Sequence, residues 1–209
     1  TVLDSISEAA RQSGVAIATG DTKVIERREQ AQPGMTITSA GVGEVSDRVN
    51  LCAERVEEGD VVIVSGRIAE HGLAVMSARE GLAFETELLS DVASLNGLVA
   101  DLLAAEVDVK FLRDPTRSGM AGLLADLSRD AGVTIEVEEA ALPISQVALH
   151  TAEMLGLDPL TVANEGKLVA VVSAGDAEKA LKALRGNPLG RDAVVIGTCT
   201  TVTPPLVEL

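Results

Sequence analysis

Val61-Val62-Ile63-Val64 offers no polar residue to either side of a β-strand, so this segment needs apolar cover on both faces. Ser65-Gly66 stops it. The same character returns at Val133–Val137, Leu168–Val172 and Ala193–Ile196. Stripes with helical spacing lie between these strands. Leu95, Leu98, Val99, Leu102 and Leu103 make one, and Met120, Leu123, Leu124 and Leu127 make another that ends at Gly132. Pro143 opens a third, with Ile144, Val147, Ala148, Thr151 and Leu155 on one face and Gly156 as its cap; residues 176–185 form a fourth. Strands that interleave with helices predict an α/β (α+β) fold, with mixed sheets packed against helices.

The first sixty residues read differently. Val2, Leu3, Ile6, Ala9 and Ala10 share a helical face, with Gly14 as a C-terminal cap. Val15–Ala18 reads as a buried strand, residues 26–34 as a polar loop, and Met35–Ala40 as a half-buried strand. Residues 46–60 are charged and end in the turn signal Gly59-Asp60. The expected division is a first domain over 1–47, a linker over 48–59 and a second domain over 60–209. A chain that opens inside a helix–strand unit is expected to lack upstream partner strands, which leaves 15–18 and 35–40 as open sheet edges.

Composition narrows the function. With 17 basic and 32 acidic side chains the formal charge is −15, a field that repels nucleic acid and anionic lipid. Trp and Tyr are absent and Phe84 and Phe111 are the sole aromatics, so a base-stacking surface is excluded. Cys52 and Cys199 form no CxxC and read as free thiols in a reducing compartment; with only His71 and His150 beside them, a zinc site lacks ligands. No signal peptide or membrane-length apolar run is visible, so the expected location is the cytoplasm, with no membrane partner.

Three polar clusters carry candidate chemistry. Gly20-Asp21-Thr22-Lys23 follows an expected strand, where α/β proteins place ligands. Gly allows close approach, Asp suits Mg²⁺, Thr donates to a phosphate and Lys neutralises it. An Asp-Thr turn with a solvated Lys explains the same tetrapeptide. Arg113-Asp114-Pro115-Thr116-Arg117-Ser118-Gly119 precedes a helix that Thr116 or Ser118 would cap. Its free N–H groups and two arginines suit a phosphate–metal pair, or else form a simple cap with exposed arginines. Asn164-Glu165-Gly166-Lys167 leads into a strand. A partly desolvated Glu165 there suits proton transfer, and a strand-initiating turn is the alternative. Glu70-His71-Gly72 reads as a polar turn, and His150 as a structural helix residue.

Further stretches join these clusters in order: Val64-Ser65-Gly66, His71-Gly72, Arg79-Glu80-Gly81, Leu95-Asn96-Gly97-Leu98, Leu157-Asp158-Pro159 and Asn187-Pro188-Leu189-Gly190-Arg191-Asp192. Together the set resembles the HypE family of hydrogenase maturation factors, carbamoyl dehydratases of the aminoimidazole ribonucleotide synthetase-like (PurM-like) superfamily. The resemblance implies two domains, each a mixed sheet packed with helices, and a homodimer that binds ATP and Mg²⁺. It implies dehydration of a C-terminal cysteine S-carboxamide to a thiocyanate, which supplies the cyanide ligand of [NiFe]-hydrogenase iron. The implied partners are a carbamoyltransferase and the scaffold and chaperone maturation proteins.

Carried onto this chain, the resemblance makes Lys23 and Glu165 catalytic and Asp21 and Asp114 metal ligands. Gly20, Asp21, Thr22, Arg113, Asp114, Thr116, Arg117, Gly119, Asn164 and Gly166 would bind the nucleotide. Three departures stand out: Ser118 where the family usually has Gly, no glycine- and acid-rich upstream strands, and an end at Val207-Glu208-Leu209 without a terminal Cys. The expectation is a fragment that does not turn over. Selenophosphate synthetase and thiamine-monophosphate kinase are rival ATP-dependent enzymes of the superfamily, and a non-catalytic docking scaffold is a rival of another class.

Overall fold

The computed structural model describes residues 1–25, 34–46, 49–81 and 88–209. Most of the loop expected at 26–34, and Arg48 of the expected linker, lie outside the described residues. The chain divides into two units, Thr1–Val49 and Asn50–Leu209.

The first unit holds helix α1, Val2–Ser13. Its N-terminus is a capping box in which the Thr1 side chain accepts from Asp4 N–H and the Asp4 side chain accepts from the Thr1 amine. Gly14 ends it in the left-handed region at φ 67°, where a Cβ would be strained. The strands expected at 15–18 and 35–40 do not form: both stretches are non-regular and exposed, with Val15 63% and Ile17 56% accessible. An apolar run becomes a strand only when neighbouring backbone takes up its N–H and C=O groups, and no ladder reaches either stretch among the described residues.

The second unit is a six-stranded mixed sheet with helices on both faces. In chain order the elements are β1 (Val61–Val64), α2 (Glu70–Glu80), α3 (Asn96–Ala104), β2 (Val109–Arg113), α4 (Gly119–Ala131), β3 (Thr134–Val137), α5 (Gln146–Leu155), β4 (Val169–Val172), α6 (Ala177–Gly186), β5 (Val194–Thr200) and β6 (Val207–Glu208). The strand order is β2-β4-β1-β5-β3-β6, antiparallel throughout except for the β3–β6 pair. β1 lies centrally, and all four of its residues are buried, as its sequence demands.

Alternation along β1 sorts the core. Val62 and Val64 face the side covered by α4, with Met120, Leu124, Leu127, Ile135 and Ile196. Val61 and Ile63 face the other side, against Leu98 and Leu102 of α3 and Ala180 and Leu184 of α6. Helices α2 and α5 form a third layer through Leu73, Ala148 and Ala152, with Val162 between them.

Several elements differ from expectation. Glu70-His71-Gly72 is no turn but the first residues of α2. Gly72 is required there because an added Cβ would stand 2.5 Å from Val162 Cγ1. Helix α5 starts at Gln146, capped by the Ser145 side chain, rather than at Pro143. Residues 50–59, read as linker, run along the second unit: Cys52 N–H donates to Lys110 O, Gly59 N–H donates to Cys199 O, and Val56 is buried.

Beneath this segment lies a buried charge pair. Lys110 Nζ donates to Asp60 Oδ1 at 2.8 Å and to Glu57 Oε1 at 2.7 Å, with the Lys110 and Asp60 side chains only 6% and 4% exposed. Burial pushes the Lys110 ammonium down, but its hydrogen bonds to Asp60 and Glu57 outweigh that and hold it above its ordinary value. A raised lysine pKa stabilises the fold below the unfolded value, and that contribution is lost as pH climbs through the folded one.

Candidate functional site

The loop 113–119 leaves the end of β2 and enters α4. Pro115 is buried and keeps Asp114 out of helix. Neither expected cap forms: Ser118 occupies the N-cap position, but its side chain makes no capping bond. Ser118 instead takes a left-handed backbone, φ 62°, followed by Gly119 at φ 59°. That conformation favours glycine, so serine at 118 is held there by its surroundings. Gly119 cannot be replaced, since a Cβ would stand 2.5 Å from Leu160 O and 2.6 Å from Val162 O.

Asn164 ties this loop to the 164–167 turn. Its Oδ1 accepts from Ala69 N–H at 2.7 Å, and its Nδ2 donates to Pro115 O at 3.1 Å and Val162 O at 3.0 Å. Its own N–H also donates to Pro115 O at 3.1 Å. Fully buried and bonded on three sides, Asn164 acts as a bracket. It brings together the second and third clusters of the sequence and the left-handed Ala69 that starts α2.

The turn beyond Asn164 is pinned from outside. Gly166 lies under the backbone of Asp91, whose carbonyl oxygen is 1.7 Å from where a Cβ would stand. Lys167 Nζ is 2.9 Å from Asp91 Oδ2 and 3.2 Å from Gly166 O. The Lys167 and Asp91 side chains are 12% and 5% exposed. The Asp91 oxygens lack well-aligned hydrogen bonds among the described residues, so the contact to Lys167 is a charge pair with poor hydrogen-bond geometry. Ser90 anchors the same segment: its Oγ is 2.8 Å from His71 Nδ1 and accepts from Val92 N–H. The sequence reading missed Asp91, Ser90 and this use of His71. A lone acid far upstream carries no local signal of its partner.

Around this bracket the charged groups face solvent. Glu165 is exposed, so the partial desolvation expected at the strand mouth is absent. Asp114 and Arg117 are exposed, and Thr116 is half-buried, with its carbonyl accepting from Gly119 N–H. Arg113 pairs at 3.5 Å with Asp126, whose carboxyl is held below the usual range chiefly by a hydrogen bond from Arg129. Gly20, Asp21, Thr22 and Lys23 belong to the first unit; all four are exposed, and Thr22 N–H donates to Asp21 Oδ1 at 2.8 Å. Among the described residues no three His, Cys, Asp or Glu side chains are gathered for a metal ion. No described helix is long and apolar enough to cross a membrane.

Residues 57–203 match the family described as AIR synthase related protein, C-terminal domain. This chain belongs to the AIR synthase-related family. Within the family it is 45% identical over 197 residues to carbamoyl dehydratase HypE of Azotobacter vinelandii, covering 94% of this chain. The chain spans 57% of that relative's length. A solved HypE–HypF complex superposes with a TM-score of 0.86 at 39% identity, over 99% of this chain and 66% of that one. HypE solved in complex with ATP superposes at 0.84 and 35% identity, over 98% of this chain and 61% of that one.

The two cysteines differ sharply. Cys199 is fully buried in β5; burial, with Asp60 adding and Lys110 opposing, pushes its thiol up to about 12. Cys52 is partly exposed, with its Sγ against Glu54. Because the thiolate is the nucleophile, Cys199 in the folded chain should resist iodoacetamide at pH 8 while Cys52 reacts. Intact mass before and after denaturation checks this; a second adduct on the folded protein would contradict it.

Proposed function

We propose that this chain carries the dehydration site of a cytoplasmic hydrogenase-maturation carbamoyl dehydratase. The observation that supports it best is the Asn164 bracket, which holds the arginine loop 113–117 and Glu165 on neighbouring backbone within an ATP-enzyme family fold. In the proposed reaction the oxygen of a cysteine S-carboxamide attacks the γ-phosphate of ATP, and ADP leaves. Loss of the nitrogen's protons then expels that oxygen as phosphate and leaves a thiocyanate. ATP is needed because an amide oxygen leaves poorly until it is phosphorylated.

Each residue has a task in this reading. Glu165, exposed and free to meet a substrate, takes a proton from nitrogen; Lys23, in the first unit, is a second proton-transfer residue on the family resemblance alone. Arg113, Arg117 and Lys23 balance phosphate charge, Gly20, Thr22 and Thr116 give backbone room or hydroxyl contact, and Gly119 and Gly166, packed against Val162 and Asp91, set the course of the backbone there. Asn164 holds the loop and not the nucleotide. Asp21 and Asp114 would hold Mg²⁺, which would supply charge neutralisation at the phosphates. Each is an exposed carboxylate, Asp21 in the first unit and Asp114 in the second, and an exposed carboxylate is the kind of ligand that Mg²⁺ takes alongside phosphate and water.

A HypF-type carbamoyltransferase, the scaffold and chaperone maturation proteins and a second copy of the chain are the proposed partners. In these 209 residues Cys199 should form no carbamoyl adduct, because it is buried as a thiol. The test is a hybrid in which this chain replaces its matched residues in the Azotobacter vinelandii relative. Incubated with the carbamoyltransferase, a carbamoyl donor and ATP, the hybrid should gain a carbamoyl group and then lose one water by intact mass. A folded hybrid that binds ATP but keeps the carbamoyl group would contradict the proposal.

A further inference from the structure

A second cavity, of about 470 Å³, lies where the end of α6 meets the start of β5 and the chain just before α5. It contains neither Glu165 nor any residue of the 113–119 loop. Its titratable lining is Arg67, Arg185, Arg191 and Asp192: three cations against one carboxylate, in a chain whose formal charge is −15. Leu142, Pro143, Ile144 and Val194, all partly buried, supply an apolar wall. The volume suits a small ligand.

The arginines are aimed rather than merely present. Arg67 Nε lies 3.1 Å from Asp192 Oδ2, and Arg185 Nε donates to Ala193 O at 2.9 Å. The Arg67 contact is an ion pair between half-exposed side chains and the Arg185 contact a hydrogen bond, and each is made by the inner nitrogen of a planar guanidinium that carries further donors. No hydrogen bond is made by either terminal fork, or by the Arg191 guanidinium, to the described residues. The wall is fixed to the same place, because Ile68 N–H, next to Arg67, donates to Pro143 O at 3.0 Å. Orienting two guanidiniums in advance lowers the ordering cost of binding an oxyanion.

We infer that this cavity binds an oxyanion attached to a small apolar body, held by the guanidinium groups of Arg67, Arg185 and Arg191 with the apolar part against Leu142, Ile144 and Val194. The shared chemistry is that of a phosphate or a carboxylate, and the inference does not rest on the dehydratase reading. The same arginine edge continues toward Lys167, since Arg67, Arg191 and Asp192 also line a neighbouring cavity of about 370 Å³.

The test uses the 209-residue chain and two probes, inorganic phosphate and N-acetylleucine, each titrated at constant ionic strength against chloride and followed by backbone and arginine Nε–H NMR shifts. Saturable shifts confined to Arg67, Arg185 and residues 140–144 and 191–194 are expected with at least one probe. Tighter binding of phosphate assigns a phosphate ligand, and tighter binding of N-acetylleucine a carboxylate. Arg191→Gln breaks no bond described in the fold, so it should leave the spectrum folded and weaken binding at least tenfold. Arg129→Gln, on a surface ion pair elsewhere, should change nothing. Shifts that chloride reproduces, or an unchanged affinity in Arg191→Gln, would overturn the inference.

Discussion

Asn164→Ala should lower the unfolding free energy of the second unit by about 3 kcal/mol, because it strands one buried donor and one buried acceptor and removes one of the two bonds to Pro115 O. Ala69 N–H loses its 2.7 Å acceptor, and Pro115 O and Val162 O lose their side-chain donor. The backbone bond from Asn164 N–H to Pro115 O survives, so the loop loosens rather than detaches. Asn164→Asp keeps the acceptor for Ala69 but sets a carboxylate against two carbonyls, and it should be no milder than alanine. Urea unfolding measures both. A loss under about 1 kcal/mol for alanine would mean that water replaces the bracket.

Lys110→Met is the second large effect, with an expected cost of about 3–5 kcal/mol. The substitution keeps length and apolar volume but leaves Asp60 buried without its ammonium. Asp60 would retain the bond from Glu57 N–H, which does not offset a buried charge. Adding Asp60→Asn removes that charge, so the double variant should recover most of the loss. Equal destabilisation of single and double variants would show that the loss does not come from an unpaired charge on Asp60. The buried pair fastens residues 57–60 to the edge strand β2.

What the sequence made legible follows from the range of the forces. β1, β4, α3 and α4 are written in local periodicity, with the left-handed Gly132 as a stop, and they stand where the pattern puts them. Lys110 hid β2, because a lysine in mid-strand signals solvent unless its acidic partner, some fifty residues away, is known. Glu70-His71-Gly72 hid α2, whose start is set by contact with Val162 and Ala163. Val15–Ala18 and Met35–Ala40 have strand composition, but no ladder forms without a neighbour.

The candidate site divides along the same line. Asn164 was legible only as part of a turn before a buried strand, and the family resemblance assigned it to the nucleotide. Its work as a bracket depends on Ala69 and Pro115, which no local pattern links to it. The same holds for Asp91 over Gly166 and Lys167. Family resemblance named the turn, and the packing divides its residues into supports and a free acid.

That division is the central claim, and Glu165→Gln in the hybrid tests it most directly. The substitution removes the proton acceptor from an exposed side chain whose neighbours Asn164, Gly166 and Lys167 hold the turn without it. The variant should fold, bind ATP and accept the carbamoyl group normally, while its loss of water, followed by intact mass, should slow by about 10²–10⁴-fold. Dehydration at the unsubstituted rate would contradict the assignment of Glu165 as the base.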